Sequence, residues 1–396
     1  MNASNSPFVS KRRMAPLAQR PFCQNVEPAN SPNTHTLALL REAKRNNKPI
    51  VGLFCAYVPR ELIKAAGAIP FNLSMWPLSN PLHDNAETLS HCPALPDWFL
   101  SNEQVQETLN EYLDLLIADT ACPNRRKCLE QYETKIPMHV LEVPCRPEEP
   151  VDYAHWLDEI GELIQALEGL TGHAISPNRL AASIALQNKE RALLRAIAYL
   201  GTPHPPKLSG QEILTAYAHA GCDHTNLTYF RSILERAHKR PSENAGKLRI
   251  LLTGSMISPV QIQLIEWIEE NGAVVVAQEN CSGLKGILQD VPEEGDPFEN
   301  LARTYLDIPC ACMTPNHRRL DFLDQLIGDF RPDAVIDFNW GDCLMYGFES
   351  HRLNEYVQQK WNLPVLHLQL RDLKAGQQKP DVLDAFVKSV YDKAAH

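Results

Sequence analysis

Short apolar runs of strand length recur along the chain and alternate with stretches of helical pattern. The segment PRELIKAAG (59–67) is typical of a helix, because a proline opens it and Gly67 ends it. The strand-length runs around it are PIVGLF (49–54), AIPFNL (68–73), LDLLIAD (113–119) and MHVLEV (138–143). Strands that alternate with helices in this way predict a parallel sheet.

The pattern becomes helical between about residues 151 and 240. Apolar residues there recur every three or four positions, which is the spacing of one helix face. Four segments show it: VDYAHWLDEIGELIQALEGL, PNRLAASIALQNKERALLRAIAYL, GQEILTAYAHA and NLTYFRSILERAHK. Alternation then returns, with helical segments separating the strand-like runs LRILLTG (248–254), AVVVAQE (273–279), DAVIDFN (333–339) and PVLHLQL (364–370). A last helix is expected from residue 380.

These patterns predict an α/β fold with two doubly wound parallel-sheet lobes, of the flavodoxin or Rossmann type, joined by a helical region. A chain of 396 residues is also longer than one ordinary hydrophobic core supports. The predicted division is an arm without apolar periodicity at 1–35, a first α/β lobe at 36–150, a helical region at 151–245 and a second α/β lobe at 246–396.

Composition indicates a soluble protein, with 44% hydrophobic and 22% charged residues and no apolar stretch near the roughly 18 residues of a membrane span. The formal net charge is -10 and no basic face is concentrated, so nucleic acid is not an expected partner. The basic stretch SKRRMAPLAQR (10–20) lacks a following apolar region of signal-peptide length. We therefore expect a cytoplasmic protein that has no membrane partner.

The chain contains eleven cysteines, and in a reducing cytoplasm a disulfide framework is not expected. Cys55, Cys122, Cys281 and Cys343 each follow a predicted strand, and ligands of open parallel sheets bind beyond the carboxyl ends of the strands. Loops carry three more that could reach the same cleft between the lobes: Cys92, Cys310 and Cys312. Core packing is the competing explanation for any single cysteine, and we assign it to Cys23, Cys128, Cys145 and Cys222.

The spacing of the cysteines does not favour a structural zinc site, which usually shows C-x2-C pairs at short range. The closest pairs here are C-x5-C (122, 128) and C-x-C (310, 312), and no local histidine pair completes either. Thiolates from distant loops suit an iron-sulfur cluster. A redox dithiol site remains an equally compatible interpretation of the spacing alone.

A family resemblance narrows these choices. The chain resembles the 2-hydroxyacyl-CoA dehydratase and benzoyl-CoA reductase family in an ordered series of segments from about residue 45 to 395: FCAYVPRELIKAAGAIPFNL, HCP, TAC-x3-RKCLE, AVVVAQENCSGLKG, IPCACMTPNHRRL and DAVIDFNWGDCLMYGFES. Within that family it is most similar to the double-cubane cluster proteins. The resemblance implies two flavodoxin-like lobes around an iron-sulfur cluster, a homodimer, and a separate ATP-hydrolysing activator that supplies electrons.

The resemblance also implies a ligand set. Cys92, Cys122 and Cys343 match the cysteines that hold a single 4Fe-4S cubane in the dehydratases and reductases. Cys55, Cys281 and Cys310 stand at the positions that hold a second cubane in the double-cubane branch. The presence of all six favours a double cubane, although Cys312 is an alternative to Cys310.

Departures from the family pattern leave the substrate open. Pro123-Asn124 replaces the usual Asp-Gly after the cysteine, and Gly254-Ser255-Met256 replaces Gly-Cys-Pro. No catalytic residue is identified. Several polar residues near the predicted cleft are candidates for charge or proton roles, with a solvated surface as the alternative: Arg125, Arg126, Lys127, His317, Arg318, Arg319, Glu349 and His351.

The function expected from these observations is an iron-sulfur reductase component that receives low-potential electrons from an ATP-hydrolysing activator and reduces a small substrate. ATP is expected on the partner, because LLTGSMISP lacks the glycine and lysine pattern of a nucleotide loop. The alternatives are a 2-hydroxyacyl-CoA dehydratase subunit with a single cubane, a non-catalytic electron-transfer protein, and a ligand-binding protein whose cysteines are only buried.

Overall fold

The computed structural model describes residues 32–75, 103–131, 135–218, 220, 226–257, 262–341, 343–370 and 379–394. Within these ranges the chain forms eight strands and thirteen helices. Cys23, Cys92 and Cys222 lie outside the described residues, as does most of the predicted arm, whose last residues begin the first helix at Pro32.

The first lobe contains a parallel sheet of four strands: β1 (Ile50–Leu53), β2 (Ile69–Asn72), β3 (Leu115–Asp119) and β4 (Met138–Leu141). The strand order is β2-β1-β3-β4. The helices of this lobe are α1 (Pro32–Arg45), α2 (Arg60–Ala65), α3 (Glu103–Tyr112) and α4 (Pro123–Gln131). All five residues of β3 are buried, as expected for a central strand covered on both faces.

The helical region follows with α5 (Pro150–Thr171), α6 (Pro177–Ala198), α7 (Gly210–Ala218) and α8 (Asn226–Lys239). Helix α6 begins at Ser176, whose hydroxyl accepts a hydrogen bond from the Arg179 N–H at 3.3 Å. Leu180 and Ile184 pack in the core of the first lobe, whereas Leu194 and Ile197 pack in that of the second. Helix α6 therefore connects the two lobes, with its first half packed on one core and its second half on the other.

The second lobe repeats the first sheet's topology with β5 (Leu248–Gly254), β6 (Ala273–Gln278), β7 (Ala334–Trp340) and β8 (Val365–Leu370) in the order β6-β5-β7-β8. Its helices are α9 (Gln263–Glu270), α10 (Pro297–Leu306), α11 (His317–Phe330), α12 (Leu344–Trp361) and α13 (Asp381–Ala394). The two parallel sheets confirm the predicted fold class. In both, the strand order reverses beside the first strand, which is where doubly wound sheets bind ligands.

Helix α10 and the loop after it pack against the first lobe and the helical region. The indole N–H of Trp156 donates to the Ala302 carbonyl at 2.9 Å, and the Tyr57 hydroxyl donates to the Ile308 carbonyl at the same distance. Leu301, Tyr305 and Met313 belong to the apolar core that contains β1 and β3. This segment lies after residue 246 in the chain but is part of the first lobe's packing.

No helix in the described part of the chain has the length and apolar character needed to span a membrane.

Candidate metal centre between the lobes

A cavity of about 130 Å³ lies between the lobes, and cysteines from both line it. The structure places five of the six predicted ligands there, and Cys312 joins them, so the lining thiols are Cys55, Cys122, Cys281, Cys310, Cys312 and Cys343. None of the six is in a disulfide. Cys92 falls outside the described residues, so its position stays a prediction.

The sheets explain why four of these thiols lie together. Cys55 follows β1, Cys122 follows β3, Cys281 follows β6 and Cys343 follows β7. Strands β1 and β3 are neighbours on either side of the reversal in strand order, so the carboxyl ends of both open into the cleft. Cys343 is also the N-cap residue of α12, and its carbonyl accepts from the Gly347 N–H at 3.0 Å.

The other two thiols come from the loop between α10 and α11, and the first lobe holds this loop in place. The Thr314 N–H donates to the Cys145 carbonyl at 2.7 Å. Within the loop, the Met313 N–H donates to the Cys310 carbonyl at 3.1 Å. These contacts bring both Cys310 and Cys312 to the cavity wall.

Cys312 hydrogen-bonds to the sulfurs of both Cys122 and Cys310, and this contact is the main cause of their lowered pKa values. The pKa of Cys122 falls to about 6, with the Arg125 guanidinium and the N–H groups of Asn124 and Arg125 at the start of α4 contributing further. The pKa of Cys310 falls to about 7, helped by the charge of Lys285. The two contacts strongly raise the pKa of Cys312 itself, so Cys312 keeps its single proton and donates it to one of the two sulfurs at a time.

Burial acts in the opposite direction on the remaining three thiols. It raises the pKa of Cys281 to about 11, although Lys285 opposes the shift, and it raises the pKa of Cys55 well above the usual range. The pKa of Cys343 is also raised by burial, while the Tyr346 N–H and the Ser255 hydroxyl bond to its sulfur. Ser255 thus contacts a cavity thiol at the position where the resembled family often has cysteine.

Two buried cations interact with the thiols, and each is paired with a buried carboxylate. Arg125 bonds to Asp119 and to the sulfur of Cys55. Lys285 lies 2.8 Å from Glu279 and donates to the Tyr346 hydroxyl at 2.7 Å. Both pairs place positive charge beside sulfur atoms that have to lose a proton to bind metal.

The structure also shows which of the other polar residues proposed for charge or proton roles are buried and which are exposed. Arg125 and Arg319 are buried, and Arg319 pairs with Glu279 at 3.2 Å and Glu349 at 3.5 Å, so a solvated surface is the wrong description of both arginines. The surface interpretation holds for His351, whose side chain is 85% exposed. Arg126 and Lys127 are exposed as well, and His317 and Arg318 are partly exposed beside Glu148.

Two of the cysteines assigned to packing can be checked. Cys128 is buried within α4, as predicted. Cys145 is exposed, so the packing assignment is wrong for this residue. It lies in the irregular segment between β4 and α5, where its backbone carbonyl rather than its thiol makes the long-range contact to Thr314.

A buried group of side chains, two of which line the cavity, joins three parts of the chain. Arg191 of α6 bonds to Glu61 of α2, and the Tyr305 hydroxyl of α10 donates to Glu61 at 2.7 Å. Arg191 and Tyr305 also line a neighbouring cavity of about 340 Å³. Sequence patterns do not reveal this group or the Glu279–Lys285 pair, because each joins side chains that only the fold brings together. The feature of the sequence that could have indicated these buried groups is a charged residue at a helix position where the pattern expects an apolar one.

The donor set fits an iron-sulfur cluster better than a single zinc ion. The ligand atoms of zinc lie about 2.0–2.3 Å from one centre and so within about 4.6 Å of each other. Among the described residues no three cavity thiols come within 4.8 Å, whereas a partly exposed group, Glu142, His155 and Glu159, meets that limit. Thiols spread around a cavity suit a polynuclear cluster, because each cysteine then binds a different iron.

Comparison with known proteins gives a consistent family match. The family model described as 2-hydroxyglutaryl-CoA dehydratase, D-component, matches residues 55–387. An Escherichia coli (strain K12) protein named as a dehydratase subunit, YjiM, is 31% identical over 337 residues, which is 83% of this chain and 88% of that protein.

Two more distant relatives have a named activity. A benzoyl-CoA reductase subunit of Thauera aromatica is 24% identical over 67% of this chain and 70% of its own length. The beta subunit of (R)-2-hydroxyglutaryl-CoA dehydratase from Acidaminococcus fermentans is 22% identical over 65% of this chain and 69% of its own length.

Proposed function

The chain belongs to the 2-hydroxyglutaryl-CoA dehydratase D-component family, and we propose that it is the iron-sulfur component of a reductase system related to the double-cubane cluster proteins. In this proposal Cys55, Cys92, Cys122, Cys281, Cys310 and Cys343 hold the cluster. The observation that carries it is the convergence of five of these thiols, with Cys312, on one cavity between the lobes. The bound cluster would supply one-electron chemistry.

The chain's own groups prepare the thiols for metal. Hydrogen bonding from Cys312 lowers the pKa of Cys122 to about 6 and that of Cys310 to about 7, which favours the thiolate form that binds metal. Arg125 and Lys285 offset the negative charge that the bound thiolates bring into the cavity. Cys312 is then a hydrogen-bond donor to either of two ligands, one at a time, or a ligand itself if Cys310 is not.

The six cavity thiols are partly exposed, and part of the wall beside them is apolar. Phe54, Met256, Ile287 and Met345 form an apolar part of the lining. The relatives include a subunit named for a reductase and one named for a dehydratase, which favours reduction of a small bound substrate over electron transfer alone.

The proposal extends to the partners. We infer a homodimer that docks a separate ATP-hydrolysing activator, as the family resemblance implies. Two relatives are named as subunits, which supports a system with more than one component. We also place the protein in the cytoplasm, where free cysteines stay reduced. A dehydratase subunit with a single cubane is the second candidate, and the family match supports it.

Anaerobic purification followed by iron and acid-labile sulfide analysis tests the cluster. About eight irons per chain would support two cubanes and about four a single one. Iron-free protein after anaerobic purification and reconstitution would contradict the proposal. Substrate-dependent ATP turnover with the activator then separates an enzyme from an electron carrier.

A further inference from the structure

Apart from the thiols, the charged side chains among the described lining residues of the cysteine cavity are all arginines, although the whole chain is acidic. Three arginines line it, Arg60, Arg125 and Arg191, and no aspartate or glutamate is among its described lining residues. Arg125 is paired with Asp119, and Arg191 with Glu61. The Arg60 guanidinium has no hydrogen bond or ion pair with any described residue, so its charge is available to a ligand.

The surroundings of Arg60 do not cancel this charge. Two cations nearby, Lys64 and Arg191, are each paired with a buried carboxylate, Glu190 at 3.4 Å and Glu61. Counting Arg60, three positive charges face two negative ones, which leaves one positive charge at this end of the cavity. The Arg60 backbone N–H donates to the Tyr305 hydroxyl at 3.3 Å, which fixes the start of α2 against α10.

Other cations are the main charges that act on the thiols. The charges that lower the pKa values of the cavity cysteines come from Arg125 and Lys285. The charge of Arg60 acts instead on Glu190 and Tyr305. Arg60 is therefore not among the main charges that act on the thiols.

Apart from the arginines and the thiols, the described lining of the cavity is apolar or uncharged. Leu194, Ile287 and Met345 contribute apolar surface, and Asn72 and Gln187 contribute amides. An arginine binds a carboxylate through two parallel hydrogen bonds, which is stronger and more specific than a contact to a neutral group. An apolar wall beside it suits the short carbon chain that such a carboxylate carries.

We propose that Arg60 binds the carboxylate of a small organic acid, whose other end points toward the cysteines. The proposal rests on the proposed function, since it names the substrate class of the same cavity. It assigns Arg60 a binding role and requires no step at the cluster.

Calorimetric titration of the anaerobically purified full chain tests this assignment. Propionate and propionamide have nearly the same size and differ in charge. We expect propionate to bind about ten- to a hundredfold more tightly, as a hydrogen-bonded charge pair predicts. The Arg60→Gln variant should lose this preference, and Arg60→Lys should keep part of it because it retains the charge but not the paired donors.

Arg303→Gln is the matched control, because Arg303 is an exposed arginine of α10 paired with Glu299 and should leave the preference unchanged. Equal affinity for the two ligands, no binding of either, or an unchanged preference in Arg60→Gln would overturn the proposal. Inorganic phosphate binding in place of propionate would also overturn it. If Arg60→Gln does not fold, the comparison of wild type with Arg60→Lys decides.

Iron analysis of the same samples separates this proposal from the proposed function. Iron-loaded protein that does not distinguish propionate from propionamide would overturn the Arg60 site alone. Charge-selective binding by protein that cannot be loaded with iron would keep the Arg60 site and overturn the cluster.

Discussion

The thiol of Cys312 hydrogen-bonds to the sulfur of Cys122, although the two residues lie far apart in the chain. Cys122 comes from the start of α4 in the first lobe, and Cys312 from the loop between α10 and α11. The contact makes one thiol a proton donor and leaves the other easier to ionise.

Removing this donor should make Cys122 less acidic. In iron-free wild-type protein we expect alkylation of Cys122 by iodoacetamide to be half-maximal near pH 6, since the reaction follows the thiolate and the pKa is about 6. In Cys312→Ala the midpoint should rise toward the ordinary value of about 8.5. Mass spectrometry of the Cys122 peptide at a series of pH values measures it. An unchanged midpoint would show that Arg125 and the helix start suffice.

Replacing a proposed ligand should remove iron, and replacing an exposed cysteine should not. Cys122→Ser substitutes a harder oxygen donor, which holds iron-sulfur centres less well. We expect it to lose about half of the iron or more and to abolish reduction. Cys145→Ser is the control, because Cys145 is exposed and contributes only its backbone carbonyl to the contact with Thr314. Equal iron in both variants would contradict the ligand assignment.

Breaking the buried Glu61–Arg191 pair should destabilise the protein strongly. Arg191→Met removes the cation that bonds to the buried Glu61 carboxylate and leaves it the hydrogen bond from the Tyr305 hydroxyl. An uncompensated buried charge costs about 3–5 kcal/mol in the free energy of unfolding, to be measured by urea denaturation. The exposed Glu299–Arg303 pair offers a matched comparison, since Arg303→Met breaks an ion pair that water already screens and should cost far less. Similar losses in the two variants would mean that the Glu61 site admits water.

The free energy of unfolding should depend on pH through His367, which lies in β8, an edge strand of the second sheet. A hydrogen bond to Asp337 raises the pKa of His367 in the folded protein. The stabilisation of the folded state by this bond is therefore complete below the unfolded-state pKa of about 6.5, and it is lost as the pH rises through the folded-state pKa of His367. His367→Gln should therefore cost more free energy of unfolding at pH 6 than at pH 9. The difference should stay below about 1 kcal/mol, because the ring is 38% exposed.

A double substitution checks the cause of this pH dependence. In an Asp337→Asn background the hydrogen bond to a charged acceptor is gone, so His367→Gln should cost the same at both pH values. A pH dependence that persisted in that background would assign it to another group.

Sequence patterns predict the strands well where a strand is buried on both faces. LRILLTG is expected to be a strand and forms β5 over the same residues, Leu248–Gly254. Such a run is dominated by apolar residues and ends at a glycine, so local composition determines both its type and its limit. The same reasoning places Cys55, Cys122, Cys281 and Cys343 after their strands.

Polar residues of the site are harder to predict, because their environment depends on distant parts of the chain. Arg319 is close to His317 and Arg318 in sequence, yet it alone of the three is buried, against Glu279 and the Tyr346 ring. Nothing local distinguishes it from its neighbours. The assignment of Cys145 to packing fails for the related reason that exposure of a loop residue follows from how the loop runs over the surface.

The attachment of the α10–α11 loop changes how the six thiols would divide if the two sheets moved apart. Tyr57 and the Cys145 carbonyl hold this loop to the first lobe, so Cys310 and Cys312 would travel with Cys55 and Cys122. Cys281 and Cys343 would move with the other sheet. A hinge opening would thus separate four sulfurs from two, and the rigid body that carries most of the thiols is assembled from segments far apart in the chain.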